Sequence, residues 1–155
     1  MSDTQRPVVG PREVVVTELD HRFLRGLYSE DHAWTADEPT AWGGTGGGPT
    51  PYDLLLMSLG ACTSMTVRLF ASHRRMPLED VTVRLTHRHV HEEDAEECGG
   101  EDRRLDVIGM EVELAGDLSA AQRDELLAIA ANCPVHRTLK GEVDIQARLR
   151  RPGAG

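Results

Sequence analysis

The chain has 155 residues, a formal net charge of -9, a pI near 5.2 and only 4% aromatic residues. An acidic protein has no electrostatic support for nucleic acid or an anionic membrane, and few aromatics leave little surface for stacking on bases. What remains is small-molecule chemistry or protein association, on a length that suits one domain with a proper core. No charged-then-apolar leader opens the sequence, which predicts a cytoplasmic protein. In a reducing compartment its three cysteines point to catalytic, redox or metal-binding thiols rather than a disulfide framework.

Residues 1–12 read as a flexible tail, 13–150 as a single domain and 151–155 as a second tail. Glu13 to Thr17 is β-rich, turn residues follow at Asp20-His21, and Phe23, Leu24, Leu27 and Tyr28 resume the apolar pattern. A second turn at Ser29-Glu30-Asp31 leads to His32–Asp37. Three short strands in meander order account for this region, and Glu38-Pro39 ends it. Gly43, Gly44, Gly46, Gly47 and Gly48 then form a glycine-rich loop that lacks the lysine and hydroxyl pair of a phosphate loop. It reads as a closely approached loop bordering a pocket.

Thr50 as N-cap, Pro51 in the first helical position and Asp53 as capping partner start a long helix. Apolar residues from Leu54 onward run almost all the way round, which predicts a helix enclosed by protein. Arg68, His73, Arg74 and Arg75 break the run short of the roughly 20 residues of a membrane span, and Pro77 stops it. Gly60 and Ala61, just before Cys62, predict close approach by a backbone or a substrate. A lone buried cysteine is as a rule a small hydrophobe; the alternative is a nucleophile.

Val81, Val83 and Leu85 alternate with polar residues, and His87-Arg88-His89-Val90-His91 continues the period as one strand. His87, His89 and His91 share a face, and with Cys98 they are metal-ligand types, but the spacing matches no standard zinc motif, so a solvated polar face is the favoured reading. The acidic segment 92–104 reads as an exposed hairpin loop in which Cys98 is an incidental thiol. Leu105 to Leu114 forms the returning strand, with a bulge expected at Ile108-Gly109. Ser119 and Gln122 form a capping box for a second long helix. At its end Cys133 points inward, and Pro134 starts a short helical turn whose N-terminus lowers the thiol pKa. Val143, Ile145, Ala147 and Leu149 alternate as a last strand. The order of strands, helix, strands, helix and strand predicts α+β architecture with antiparallel sheet.

Two helix-associated cysteines suit thiol redox chemistry, in which one thiolate opens an O–O bond and a second thiol condenses with the sulfenic acid. The stretches Gly48-Pro49-Thr50-Pro51-Tyr52-Asp53-Leu54-Leu55, Leu59-Gly60-Ala61-Cys62-Thr63, Gly116-Asp117-Leu118-Ser119 and Asn132-Cys133-Pro134-Val135-His136-Arg137-Thr138-Leu139 resemble the OsmC/Ohr family of organic hydroperoxide reductases, and its OsmC-like branch most closely. The resemblance implies antiparallel sheets enclosing two long central helices in an intertwined homodimer. It implies Cys62 as peroxidatic thiol, Cys133 as resolving thiol, a lipoylated protein or small dithiol as reductant, and neither metal nor organic cofactor. Where the family carries a glutamate this chain has Tyr52, with Asp53 beside it. No arginine stands in 31–37, where relatives supply one to the thiolate, and Arg22, Arg25 or Arg137 is the candidate substitute. Tyr52 lines the pocket or packs, Asp53 is first a capping residue, and His136 and Arg137 tune Cys133 or cap its turn. The alternative from another class is a non-catalytic module of the same fold that binds a small apolar or thiol ligand or a metal.

Overall fold

The computed structural model describes residues 6–91 and 104–149, and the chain divides into two compact units, one ending at Met57 and the other starting at Ser58. Both sheets are antiparallel and the architecture is α+β. The stretch 92–103, with Cys98 and most of the expected hairpin loop, lies outside the described residues, as do the side chains of Val90, His91, Arg104 and Leu105.

The first unit is the expected meander: β1 (Val15–Glu18), β2 (Arg25–Tyr28) and β3 (Ala33–Ala36), paired in that order. The β1–β2 turn is closed by Asp20, whose Oδ1 accepts the backbone N–H groups of Arg22 and Leu24, both at 3.0 Å. After β3 the chain is gathered around Asp37. This buried carboxylate accepts from the N–H of Glu38 at 2.8 Å, of Thr45 at 2.9 Å and of Gly47 at 3.0 Å, and from the Thr45 hydroxyl at 2.6 Å. The glycines let the loop wrap this closely, since a Cβ on Gly44 would collide with the Glu38 carbonyl. The loop is thus folded around an internal anion, with the Thr45 and Gly47 N–H groups spent on Asp37 and those of Gly44 and Gly46 on the Pro39 and Glu38 carbonyls.

The helix α1 (Pro51–His73) starts as its sequence predicts. Asp53 Oδ2 accepts from Thr50 N–H at 2.9 Å, and Asp53 N–H donates to Thr50 Oγ1 at 3.1 Å. It ends before Pro77 through Arg75, which adopts a left-handed φ of 54°, while Met76 N–H reaches back to the Ala71 carbonyl at 2.9 Å.

In the second unit β4 (Leu78–His91) pairs with β5 (Arg104–Gly116) along nearly their full length. Ile108 and Gly109 are in register opposite His87 and Thr86, so the expected bulge is absent there, and the irregularity falls at Leu78/Asp80. Alternation slips at Val107 because that residue belongs to the opposite face of the hairpin from Ile108, Met110, Val112 and Leu114. Gly109 serves close cross-strand approach: a Cβ there would lie 2.8 Å from Thr86 Oγ1. α2 (Ala120–Ala130) carries the full Ser119–Gln122 capping box, and α3 (Pro134–Lys140) follows at once.

Val67 and Ala71 of α1, Leu78 and Leu118 beside the hairpin ends, and Leu126 and Ala130 of α2 form the buried core, with Val81, Met110, Val112 and Leu114 packed on it. Two arginines tie helix to sheet. Arg68 donates to the Leu78 and Glu79 carbonyls at 2.6 and 2.8 Å, and Arg123 to those of Leu114 and Gly116 at 2.6 and 3.0 Å. By length and composition α1 could cross a bilayer, yet its Arg68 and one whole face are committed to this packing.

Two expectations are corrected. α1 is covered along only one stripe, Leu59, Thr63, Val67 and Ala71, while Met57, Met65 and Leu69 remain 58–70% exposed. Residues 142–149 adopt no strand, and Val143, Ile145 and Leu149 are exposed. A lone alternating segment gains nothing from extension without a neighbour to accept its ladder of hydrogen bonds.

The Asp37 cluster has a pH signature. Hydrogen bonds, led by that from Thr45, hold the carboxyl well below the ordinary range against the opposing effect of burial. A depressed folded-state pKa means that its contribution is complete above the unfolded value of about 4 and is lost as pH falls further. Asp37→Asn should therefore weaken the loop at neutral pH and flatten the acid limb below pH about 4, as followed by Trp42 fluorescence. An unchanged acid limb would contradict the assignment.

Candidate active site

The site is built where α1 crosses the β4–β5 hairpin. Small residues in the helix admit the sheet closely: a Cβ on Gly60 would approach Leu85 Cδ1 to 2.8 Å. The close approach expected there is made by a leucine side chain. One turn on, Thr63 is fully buried, with its hydroxyl 3.8 Å from the sulfur of Met110. Met110 and Leu85 are direct partners across the hairpin, so Gly60 and Thr63 seat α1 on one rung of the ladder.

Cys133 arrives from the other side. α2 ends at Ala130, and Pro134 cannot extend a helix backward, so Cys133 becomes the N-cap of α3 in extended conformation (φ -63°, ψ 157°). In that geometry the cap side chain turns back over the first turn, and Cys133 Sγ accepts the His136 N–H at 3.4 Å. The same sulfur lies 3.4 Å from Thr63 Oγ1, and the Cys62 side chain stands near enough to lower its pKa. The structure thus brings together the two cysteines that the sequence singles out, from helices far apart in the chain.

Their environments differ. Cys133 has no exposed surface, whereas Cys62 is partly exposed. Burial by itself would push the Cys133 thiol up. The hydrogen bonds from Thr63, from the His136 N–H, from Cys62 and from the Val135 N–H outweigh it, and the thiol lies below its ordinary value. These donors favour the thiolate, so Cys133 is a buried sulfur set up to carry negative charge. Cys62 is the one a solute reaches.

The remaining expected residues are placed as follows. Tyr52 is half-exposed in the first turn of α1, and Asp53 serves the cap, where hydrogen bonds from Thr50 hold its carboxyl below the ordinary range. Arg25 donates to the Leu24 and Arg22 carbonyls, both at 2.9 Å, and lies 4.0 Å from Asp20. Its guanidinium is thereby fastened within its own turn, which Arg22 joins through its backbone. His136 acts on Cys133 through its main-chain N–H, while its buried Nδ1 has no hydrogen-bond partner among the described residues. Arg137 is exposed in the last turn of α3.

Thr63 was not singled out from the sequence, although a β-branched hydroxyl beside a cysteine in an otherwise apolar helix is a readable signal. Asp37 was missed as well, and its cue is an acidic residue just ahead of a run of glycines.

The family model for OsmC-like proteins matches residues 44–148, which span both cysteine motifs. The chain belongs to the OsmC-like family. Solved structures agree on the fold of this OsmC-like chain. It is similar to an OsmC-like protein from Mycoplasma pneumoniae, with 21% identity, a TM-score of 0.64 and coverage of 84% of this chain and 89% of that one. The organic hydroperoxide resistance protein OsmC from Legionella pneumophila matches with 20% identity, a TM-score of 0.61 and coverage of 87% and 94%. The organic hydroperoxide resistance protein OhrB of Bacillus subtilis matches with 20% identity, a TM-score of 0.57 and coverage of 84% and 93%. No curated protein sequence matches this chain significantly.

The Thr63 hydroxyl gives a direct check on the sulfur's environment. Removing a donor to a thiolate raises its pKa, so Thr63→Val in a Cys62→Ser background should move the pH midpoint of thiolate absorbance at Cys133 upward. A midpoint unchanged by Thr63→Val would mean that the hydroxyl does not hold the charge.

Proposed function

We propose that this OsmC-like chain is a cysteine-based peroxidase that reduces organic hydroperoxides and serves defence against oxidative stress. The observation that carries the reading is the pairing of a solvent-reachable Cys62 with a buried, hydrogen-bonded Cys133. Two solved relatives of the same fold are named as organic hydroperoxide resistance proteins, which fits this reading.

The chemistry balances with these two sulfurs. The Cys62 thiolate attacks the outer peroxide oxygen, the O–O bond breaks, and the proton given up by Cys62 ends on the departing alkoxide as an alcohol. Cys62 is left as sulfenic acid. Cys133, favoured as thiolate by its donors, attacks the Cys62 sulfur. The S–O bond breaks, hydroxide leaves and is protonated to water, and a Cys62–Cys133 disulfide remains. A small dithiol or a lipoylated protein supplies the two electrons and two protons that restore both thiols. A resolving sulfur gains from burial, because a peroxide cannot reach it and over-oxidise it.

The working form in this reading is a homodimer. The exposed stripe Met57, Met65 and Leu69 on α1 and the exposed alternation of Val143, Ile145 and Leu149 are apolar surfaces that a second copy would cover. The first offers a helix face and the second a strand in search of an edge. The positive charge that the Cys62 thiolate needs is assigned to Arg137, an exposed arginine one turn after Cys133 in the same unit.

Turnover with an organic hydroperoxide and a dithiol tests the reading. Cys62→Ser should abolish peroxide consumption. Cys133→Ser should consume one equivalent and stop, with a sulfenic acid at Cys62 that a dimedone-type reagent traps. Undiminished consumption by Cys62→Ser would overturn the mechanism.

A further inference from the structure

We propose that His87, His89 and Asp106 form a binding site for a divalent transition-metal ion of the zinc type, with a coordination position open to solvent. The site shares no residue with the pair of thiols, and the inference stands whether or not they act on peroxides.

Register brings the three groups together. His87 and His89 are two apart on β4, hence on one face, and Asp106 of β5 is the direct cross-strand partner of His89. This face is the one that carries Val81 and Leu85, so the imidazoles continue the row of side chains that packs on the helices, with His87 largely covered and His89 in solvent at its end. The His87 side chain is only 13% exposed.

The geometry is that of ligands converging on a point. His87 Nε2 and His89 Nδ1 lie 2.7 and 2.8 Å from the same oxygen, Asp106 Oδ1. The two rings stand almost perpendicular at 85°, with centroids 4.8 Å apart, and one ligand atom from each of the three residues falls within 4.8 Å of the others. A tetrahedral ion with bonds of about 2.0–2.2 Å sets its ligands roughly 3.4 Å apart. Side-chain shifts on the order of 1 Å would therefore admit the ion.

The donor set also selects. Two imidazole nitrogens and one carboxylate oxygen suit zinc, cobalt or nickel, whereas calcium and magnesium prefer all-oxygen shells. Without an ion, two histidines must both present N–H to one oxygen, which fixes both tautomers. One divalent cation satisfies all three groups at once and adds favourable charge to an acidic protein. With His89 and Asp106 more than half exposed, the ion has an entry path and room for a water as fourth ligand.

Untagged, reduced full-length protein titrated with Zn²⁺ against a chromophoric chelator should bind one ion per chain through this cluster. His89→Gln and the nearly isosteric Asp106→Asn should each weaken binding at least about tenfold, the scale on which even outer-shell partners of a metal act. The Cys62→Ser/Cys133→Ser double variant should bind Zn²⁺ as the parent does. With Co²⁺ that variant should give visible ligand-field bands without thiolate-to-metal charge transfer. Binding insensitive to both His89→Gln and Asp106→Asn, or lost with the two thiols, would overturn the proposal.

Discussion

The arrangement depends on one constraint: the Cys133 sulfur is locked at the start of α3 against the middle of α1. Proline at position 134 ends the backward reach of α3, the extended N-cap turns the thiol over the first turn, and the His136 N–H and the Thr63 hydroxyl hold it there. Burying a sulfur without donors would favour the neutral thiol. The donors reverse that preference, and one of them is the Cys62 side chain itself. The same contacts that fold α3 onto α1 therefore also prepare a nucleophile beside a thiol that solutes reach.

The rest of the second unit serves this contact. Gly60 lets Leu85 approach the helix, Thr63 meets Met110, and these two sheet residues are partners, so one rung of the hairpin fixes the height at which Cys62 sits. Arg68 and Arg123 fasten α1 and α2 to main-chain carbonyls at the hairpin ends. These are charged donors on backbone acceptors, of the stronger hydrogen-bond class. In the first unit a single carboxylate, Asp37, organises the glycine loop in the same manner, by drawing main-chain N–H groups to one point.

Much of this was legible in the sequence because local rules and tertiary demands agree. The Thr50–Asp53 and Ser119–Gln122 caps, the meander, and the Cys133-Pro134 break all rest on backbone requirements met within a few residues, and each forms as written. The two motifs around Cys62 and Cys133 marked a family whose model then matched the chain. What failed depends on surroundings that the sequence does not contain. The alternation from Val143 to Leu149 is a strand pattern, but it has no edge to pair with here. The all-round apolar character of α1 predicts burial, but one chain covers one stripe. That Asp106 joins His87 and His89 was out of reach for the same reason, since it lies across a strand boundary that spacing cannot bridge.

The central claim is that the sulfurs of Cys62 and Cys133 are near enough in the folded chain to bond. Non-reducing peptide mapping after one equivalent of organic hydroperoxide tests it most directly. The account predicts a single cross-linked peptide joining residue 62 to residue 133 within one chain, reversed by a dithiol. Cys62 accumulating as sulfinic acid, with Cys133 still a free thiol, would contradict it.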